Sequence, residues 1–244
     1  MKTFDELKLS APVAQAVRDL GFARPTAIQA QALPVLLAGK TDFIGQATTG
    51  TGKTAAFGLA LVESVDAADG RVQALVLCPT RELALQVCGQ LGLFGRHKGV
   101  RTLAIYGGTG YGEQLEGLRR RPAVVVGTPG RLIDHIERGS LSLAGVSTVV
   151  LDEADEMISM GFKEDLEKIL RAVPRERSHV WLFSATMSPE VRRPTRTCAS
   201  PSRRARRAGR CSRPRWSRSI MWFRSATSPR CWCASSSFAT TSTA

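Results

Sequence analysis

Two stretches of the chain carry residue types suited to handling a phosphate group. The first, Ala47-Thr48-Thr49-Gly50-Thr51-Gly52-Lys53-Thr54, fits the phosphate-loop pattern GxxxxGK[ST] except that Ala stands at the first glycine. Glycines there let the backbone curl so that successive N–H groups face one anion, at a helix start whose dipole already favours negative charge. Lys53 would reach the β and γ phosphates of a nucleotide, and the Thr54 hydroxyl would bind Mg2+. The second stretch is Asp152-Glu153-Ala154-Asp155, directly after Val149-Val150-Leu151. A carboxylate delivered at the end of a buried strand can hold Mg2+ opposite a phosphate loop. Asp152 is therefore assigned to the metal, commonly through water, and Glu153 to orienting or deprotonating the attacking water. Taken singly, the first stretch could be a glycine-rich turn and the second a solvated helix start. Their order, with an apolar strand ahead of the acids, favours a nucleotide site.

Such a site needs a sheet that brings several strand ends together. Short apolar or β-branched runs at Phe43 to Gly45, Ala74 to Cys78, Thr102 to Tyr106, Ala123 to Val126, Thr148 to Leu151 and Val180 to Phe183 predict strands. Between them lie helical patterns, among them Thr54 to Val65, Arg81 to Leu91, Gly130 to Arg138 and Glu164 to Ala172. That alternation predicts an α/β fold with a doubly wound, mainly parallel sheet, whose ligands sit beyond the carboxyl ends of the strands. No apolar run approaches the length of a membrane span, and the first residues lack a signal peptide's apolar stretch, so a cytoplasmic protein with no membrane partner is expected. Cys78 and Cys88 lie in apolar stretches without metal-ligand spacing and read as buried free thiols, so no metal cluster is expected. His97, His135 and His179 match no catalytic motif and read as surface or core residues.

With both phosphate-handling elements in place, the chain resembles the DEAD-box family of ATP-dependent RNA helicases. Phe4, seventeen residues before Gly21, and Gly21-Phe22-Ala23-Arg24-Pro25-Thr26-Ala27-Ile28-Gln29 are similar to the family's Q motif. There the Gln29 amide, with Thr26 and Phe4 beside it, would read adenine, since a carboxamide offers both donor and acceptor. Pro79-Thr80-Arg81, Gly107-Gly108 and Thr128-Pro129-Gly130-Arg131 resemble the family's RNA-contacting motifs Ia, GG and Ib. Each follows an apolar run, so N–H groups, hydroxyls and Arg side chains would face a sugar-phosphate backbone without reading bases. Any one of them alone could be loop punctuation. Ser184-Ala185-Thr186 resembles motif III, and the resemblance implies that Ser184 and Thr186 bond to Asp155 and couple nucleotide state to RNA.

The resemblance covers residues 1–193, with Gln73 to Ala84 and Met160-Gly161-Phe162 similar to bacterial members. It implies a RecA-like domain: a Q-motif region at 1–30 and an ATP-binding helicase domain at 31–193. ATP and Mg2+ would be the cofactors, RNA the partner, and RNA unwinding driven by ATP hydrolysis the activity. Specific RNAs and protein partners are not implied.

Charge divides the chain at the same place. The formal net charge is +13, but residues 1–193 hold 23 basic and all 21 acidic residues, whereas 194–244 hold 11 Arg and no acid. The tail also carries four of the six Cys and three of the four Trp, and no Leu. Nothing in it resembles the second RecA-like domain that family members have, and a chain so composed is expected to be disordered. Its codons are informative, because Trp and Met have one each. Cys231-Trp232-Cys233-Ala234, read one base earlier, becomes an apolar residue, Leu, Val, then Arg or Cys. Ile220-Met221-Trp222-Phe223 becomes a polar or aromatic residue, then His, Asn or Tyr, then Val-Val, and Thr195 to Pro201 permits Asp-Ala-Tyr-Leu-Arg-Glu-Pro. A frameshift near Arg193 or Pro194 is therefore expected, leaving an ATP-binding fragment unable to unwind RNA. The alternative is an authentic basic tail on a non-enzymatic ATP- and RNA-binding module.

Overall fold

The structure is a computed structural model that describes residues 3–39, 41–187 and 191, together with the backbone of 221–224. Helices α1 (Ala11–Asp19) and α2 (Ala27–Leu37) precede strand β1 (Phe43–Gln46). There follow α3 (Lys53–Ser64), β2 (Ala74–Leu77), α4 (Arg81–Gly95), β3 (Thr102–Ile105), α5 (Tyr111–Arg119), β4 (Val124–Gly127) and α6 (Pro129–Glu137). Strand β5 (Thr148–Leu151), helices α7 (Ala154–Ser159) and α8 (Lys163–Ala172), strand β6 (His179–Ser184) and strand β7 (Met221–Arg224) complete the order.

All six pairings are parallel, in the order β3-β4-β2-β5-β6-β1-β7. Parallel strands are buried on both faces, which is why these runs are apolar throughout and not alternating. The period of two survives in which side each residue serves. Phe43, Val76, Val126, Val150, Trp181 and Phe183 join the core under α2, α3 and α4, while Ile44, Leu75, Val125, Val149, Leu151 and Leu182 join the core under α6, α7 and α8. Each predicted strand is present within one residue of its expected ends.

One four-residue segment of the tail, strand β7, lies within the described residues. Residues 221–224 pair in parallel with β1, Phe43 opposite Met221 through Gln46 opposite Arg224. Without them β1 would present an unpaired row of N–H and C=O groups at the edge of the sheet, and a short β-prone segment satisfies it. The remaining tail lies outside the described residues.

Candidate functional site

Because every strand runs the same way, all carboxyl ends meet on one edge of the sheet, and strand order divides that edge in two. The ends of β5, β6 and β1 are neighbours and carry the acidic stretch, the Ser184-Ala185-Thr186 stretch and the phosphate-loop stretch. The ends of β3, β4 and β2 are also neighbours and carry Gly107-Gly108, Thr128 to Arg131, and Pro79 to Arg81.

In the first half, Gly50 (φ 78°) and Gly52 (φ 90°) are left-handed, so the loop curls into the first turn of α3. Thr51 Oγ1 donates to the Thr48 carbonyl at 2.7 Å, and the crest at Thr48, Thr49 and Gly50 is exposed. Ala47, where the pattern has glycine, is buried, and its N–H bonds to the Ser184 carbonyl at 3.0 Å. Lys53 is only 6% exposed and Asp152 2%, and neither Lys53 Nζ nor Asp152 Oδ1 has a hydrogen-bond partner in the protein. Burial raises the Asp152 carboxyl to about 6, the Lys53 charge opposes the rise, and the Glu153 charge adds to it. Two opposite charges buried with open bonding capacity fit a ligand that brings both anionic oxygens and a cation. Among the described residues no group of three or more His, Cys, Asp or Glu could hold a metal by itself. A Mg2+ ion here would therefore draw on Asp152 and Thr54 together with phosphate oxygens and water, the sparse protein ligation usual for that ion.

Glu153 is half-buried and sits in the left-handed region (φ 52°, ψ 51°), one of two non-glycine residues to do so among those described. Such a conformation costs about 1–3 kcal/mol and persists where surrounding structure enforces it. Here it lets the chain turn from β5 into α7 while Asp152 and Glu153 stand side by side. Asp155, one residue into α7, accepts from both Thr186 N and Thr186 Oγ1 at 2.8 Å. Burial opposes ionisation of Asp155, and the hydroxyls of Ser184 and Thr186 more than offset it, holding this carboxyl below its usual value. Ser184 Oγ also donates to the Thr186 carbonyl at 2.6 Å, and Gln46 Nε2 to the Ala185 carbonyl at 3.1 Å.

Gln29 does two jobs that sequence shows only in part. Its Oε1 accepts from Thr26 N at 2.9 Å, the helix-start bond, and its Nε2 donates to the Gly52 carbonyl at 3.1 Å. A Cβ on Gly52 would lie 2.4 Å from Gln29 Nε2, so glycine is required there by contact as well as by φ. One donor and one acceptor position of the amide remain for a ligand. Phe4 is 6% exposed, with its ring 6.0 Å from that of Phe22, in the apolar core rather than on the loop crest.

In the second half, the Thr80 hydroxyl caps α4 by accepting from Leu83 N at 3.2 Å, and Thr128 stands at the N-cap position of α6 without a side-chain cap bond, followed by Pro129 in the first turn. Arg81 is exposed and lies over the Tyr106 ring at 4.9 Å, beside the exposed Gly107-Gly108 pair. Arg131 donates to the Thr109 carbonyl at 3.3 Å, which ties the start of α6 to the loop after β3. Cys78, between β2 and Pro79, is free and buried, and burial, then the Asp152 and Glu153 charges, push its thiol well above the ordinary range. Cys88 is also free, half-buried and raised by burial. His97 pairs with Asp19 at the surface and His179 lies 4.0 Å from Asp42, but His135 is fully buried in a polar network that sequence reasoning missed.

Asp152 can take a cation only when ionised, so nucleotide with Mg2+ is expected to bind more weakly as pH falls through about 6, and binding near pH 6 should release a proton. The sign follows from the raised value: between the usual aspartate pKa and about 6, the unfolded chain is ionised while the folded chain keeps the proton. Stability without ligand therefore falls as pH rises across that window and is flat above it. Calorimetry in buffers of different ionisation heat reads the proton, and no release between pH 5.5 and 6.5 would contradict the assignment.

A family model described as "DEAD/DEAH box helicase" matches residues 26–193. The DEAD-box ATP-dependent RNA helicase CshA of Geobacillus kaustophilus is 56% identical over 193 residues, 79% of this chain and 41% of that protein. The CshA of Bacillus subtilis is 50% identical over 191 residues, 78% of this chain and 38% of that protein. This chain thus spans about two-fifths of the length of the curated relatives it matches. A DEAD box protein from Methanococcus jannaschii superposes with a TM-score of 0.80 at 36% identity, over 92% of this chain and 56% of that one. A hypothetical ATP-dependent RNA helicase from Sulfolobus tokodaii gives 0.73 at 31%, over 88% and 57%.

Proposed function

As the chain belongs to the DEAD/DEAH box helicase family, we propose that residues 1–193 form the first RecA-like half of an ATP-dependent RNA helicase. The pair of buried opposite charges, with Lys53 Nζ and Asp152 Oδ1 both lacking a hydrogen-bond partner in the protein, is the observation that carries this reading. Lys53 and the N–H groups of the loop from Thr48 to Thr54 bind the phosphates, and the spare half of the Gln29 amide reads adenine. Phe4 serves that end through Phe22. Thr54 and Asp152 would hold Mg2+, which when bound supplies charge neutralisation at the phosphate oxygens. Glu153, fixed by its backbone conformation, orients the attacking water. Asp155, Ser184 and Thr186 couple this half of the edge to the half formed by Pro79, Thr80, Arg81, Gly107, Gly108, Thr128, Pro129, Gly130 and Arg131. Those residues offer hydroxyls, N–H groups and two Arg side chains to a single-stranded RNA backbone, sequence-independently.

The 51 residues after Arg193 are read as a frameshifted tail replacing the rest of the helicase, which leaves nucleotide binding, little ATPase and no unwinding. The end of the family match at residue 193 supports that, as does the loss of every acid there. The 11 Arg of the tail favour a second reading, a non-enzymatic module that holds RNA by phosphate contacts alone. An RNA-stimulated ATPase assay separates them. Residual turnover that disappears with Glu153→Gln supports the enzyme. RNA binding that persists in Lys53→Ala, weakens steeply with salt and vanishes when 194–244 are removed supports the module.

A further inference from the structure

His135 is 0% exposed and lies on α6, whose first turn carries the candidate RNA segment that follows β4. Its Nε2 lies 3.0 Å from Gln114 Oε1 and its Nδ1 2.9 Å from Ser140 Oγ. A carboxamide oxygen only accepts, so Nε2 carries the proton, while the single Ser140 hydroxyl proton lies between Nδ1 and the His135 carbonyl, which Ser140 Oγ reaches at 3.0 Å. The Gln114 amide is in turn fixed, because its Nε2 donates at 2.8 Å to both the Tyr106 carbonyl and Thr109 Oγ1, the two sides of Gly107-Gly108. Tyr111 closes the cluster: its hydroxyl is 2.9 Å from Ser140 Oγ, its ring stacks on His135 at 4.3 Å, and Arg138 lies over it at 4.7 Å. Burial first, then the Arg131 charge, hold His135 below the ordinary imidazole value, with Asp134 opposing and Arg138 assisting, consistent with a neutral ring.

We propose that Gln114 and His135 are positioning residues for RNA binding, a buried tether that fixes the Gly107-Gly108 loop against α6 so that both segments face one strand in register. This rests on the RNA reading of those segments given above. The tether lies on the β3-β4-β2 half of the edge, and nothing in it touches the phosphate loop, so its loss should be felt by RNA and not by ATP.

His135→Phe keeps the stacked ring on Tyr111 and removes both hydrogen bonds; Gln114→Ala removes the loop side. Binding of the full chain to a fluorescein-labelled oligouridylate is measured at fixed salt, where the basic tail contributes equally to every variant, with ATP affinity measured alongside. Each variant is expected to lose about tenfold in RNA affinity, the size of one well-made hydrogen bond, with ATP affinity within about twofold of the parent. The double variant should lose no more than either single, because both cut the same link. Amide exchange at residues 107–110 should quicken while that of residues 48–54 does not. Arg131→Ala tests the underlying reading. If it leaves RNA affinity unchanged, the RNA surface itself is wrong and the tether falls with it. If it weakens RNA but His135→Phe does not, or if His135→Phe weakens ATP and RNA alike, the positioning role is overturned alone.

Discussion

Lys53→Ala should weaken ATP binding by at least about a hundredfold without unfolding the chain. Lys53 Nζ is buried with no partner in the protein, so all its hydrogen-bonding capacity waits for a ligand. A hydrogen bond to a charged group contributes about 1.5–3 kcal/mol, and two phosphate contacts at the low end of that range already amount to a hundredfold. A second loss follows through Asp152. The Lys53 charge works against the burial that raises this carboxyl, so without it Asp152 holds its proton to a pH above about 6 and receives a cation less readily. The fold should survive because Lys53 makes no hydrogen bond that the variant would break, and Asp152 can protonate rather than remain as a lone buried charge. Calorimetric titration with ATP and a melting curve check both parts. Binding within threefold of the parent, in a variant that melts like the parent, would remove the phosphate-loop assignment.

How much of this was readable beforehand follows from where each signal lives. Strands in a parallel sheet are largely apolar runs, so all six strands β1 to β6 could be placed, and such a sheet gathers its loops on one edge whatever the details. The site residues that sit in those loops were accessible for that reason. Helix α5 has a weak local signal, because Gly112 and Gly117 dilute its pattern. Gly117 is there for packing: a Cβ would lie 2.4 Å from Leu103 Cδ1, an across-the-fold fact with no local trace. The tether was hidden for a similar reason. Gln114 and His135 are 21 residues apart, each an ordinary polar residue in a helix, and only the sheet brings them to 3.0 Å. Gln29 was visible as a motif residue, but its bond to Gly52, 23 positions away, makes it part of the phosphate loop's support. Strand β7 leaves no mark in the tail's composition, since what the β1 edge selects is four consecutive residues able to extend.

Reading the coding DNA one base earlier from the neighbourhood of Arg193 should yield a chain whose RNA-stimulated ATPase exceeds that of the present one by about a thousandfold or more. The magnitude comes from what a nucleotide site of this kind needs beyond Lys53, Asp152 and Glu153. The developing charge on the transferred phosphoryl requires arginines from a facing domain, and one such finger is worth roughly 10³–10⁵ in kcat. In the described residues the only buried cation at the strand ends is Lys53, while Arg81 and Arg131 lie on the other half of the edge, committed to Tyr106 and Thr109. The codon reading gives the restored segment Leu and Val and permits acidic residues where the present tail has Arg, Ser, Cys and Trp, a composition that suits a folded domain. The edge position now filled by Met221–Arg224 would then be open to a strand from the restored frame, since β1 selects for extended backbone and not for these side chains. Three measurements bear on it: the gene sequence, steady-state turnover with RNA, and turnover of the restored chain carrying Glu153→Gln. A stop codon within a few tens of bases in the alternate frame sinks the proposal, as does a restored chain no faster than the present one. A thousandfold gain abolished by Glu153→Gln would place the rate in the site at the ends of β1, β5 and β6 and trace the gain to the restored segment.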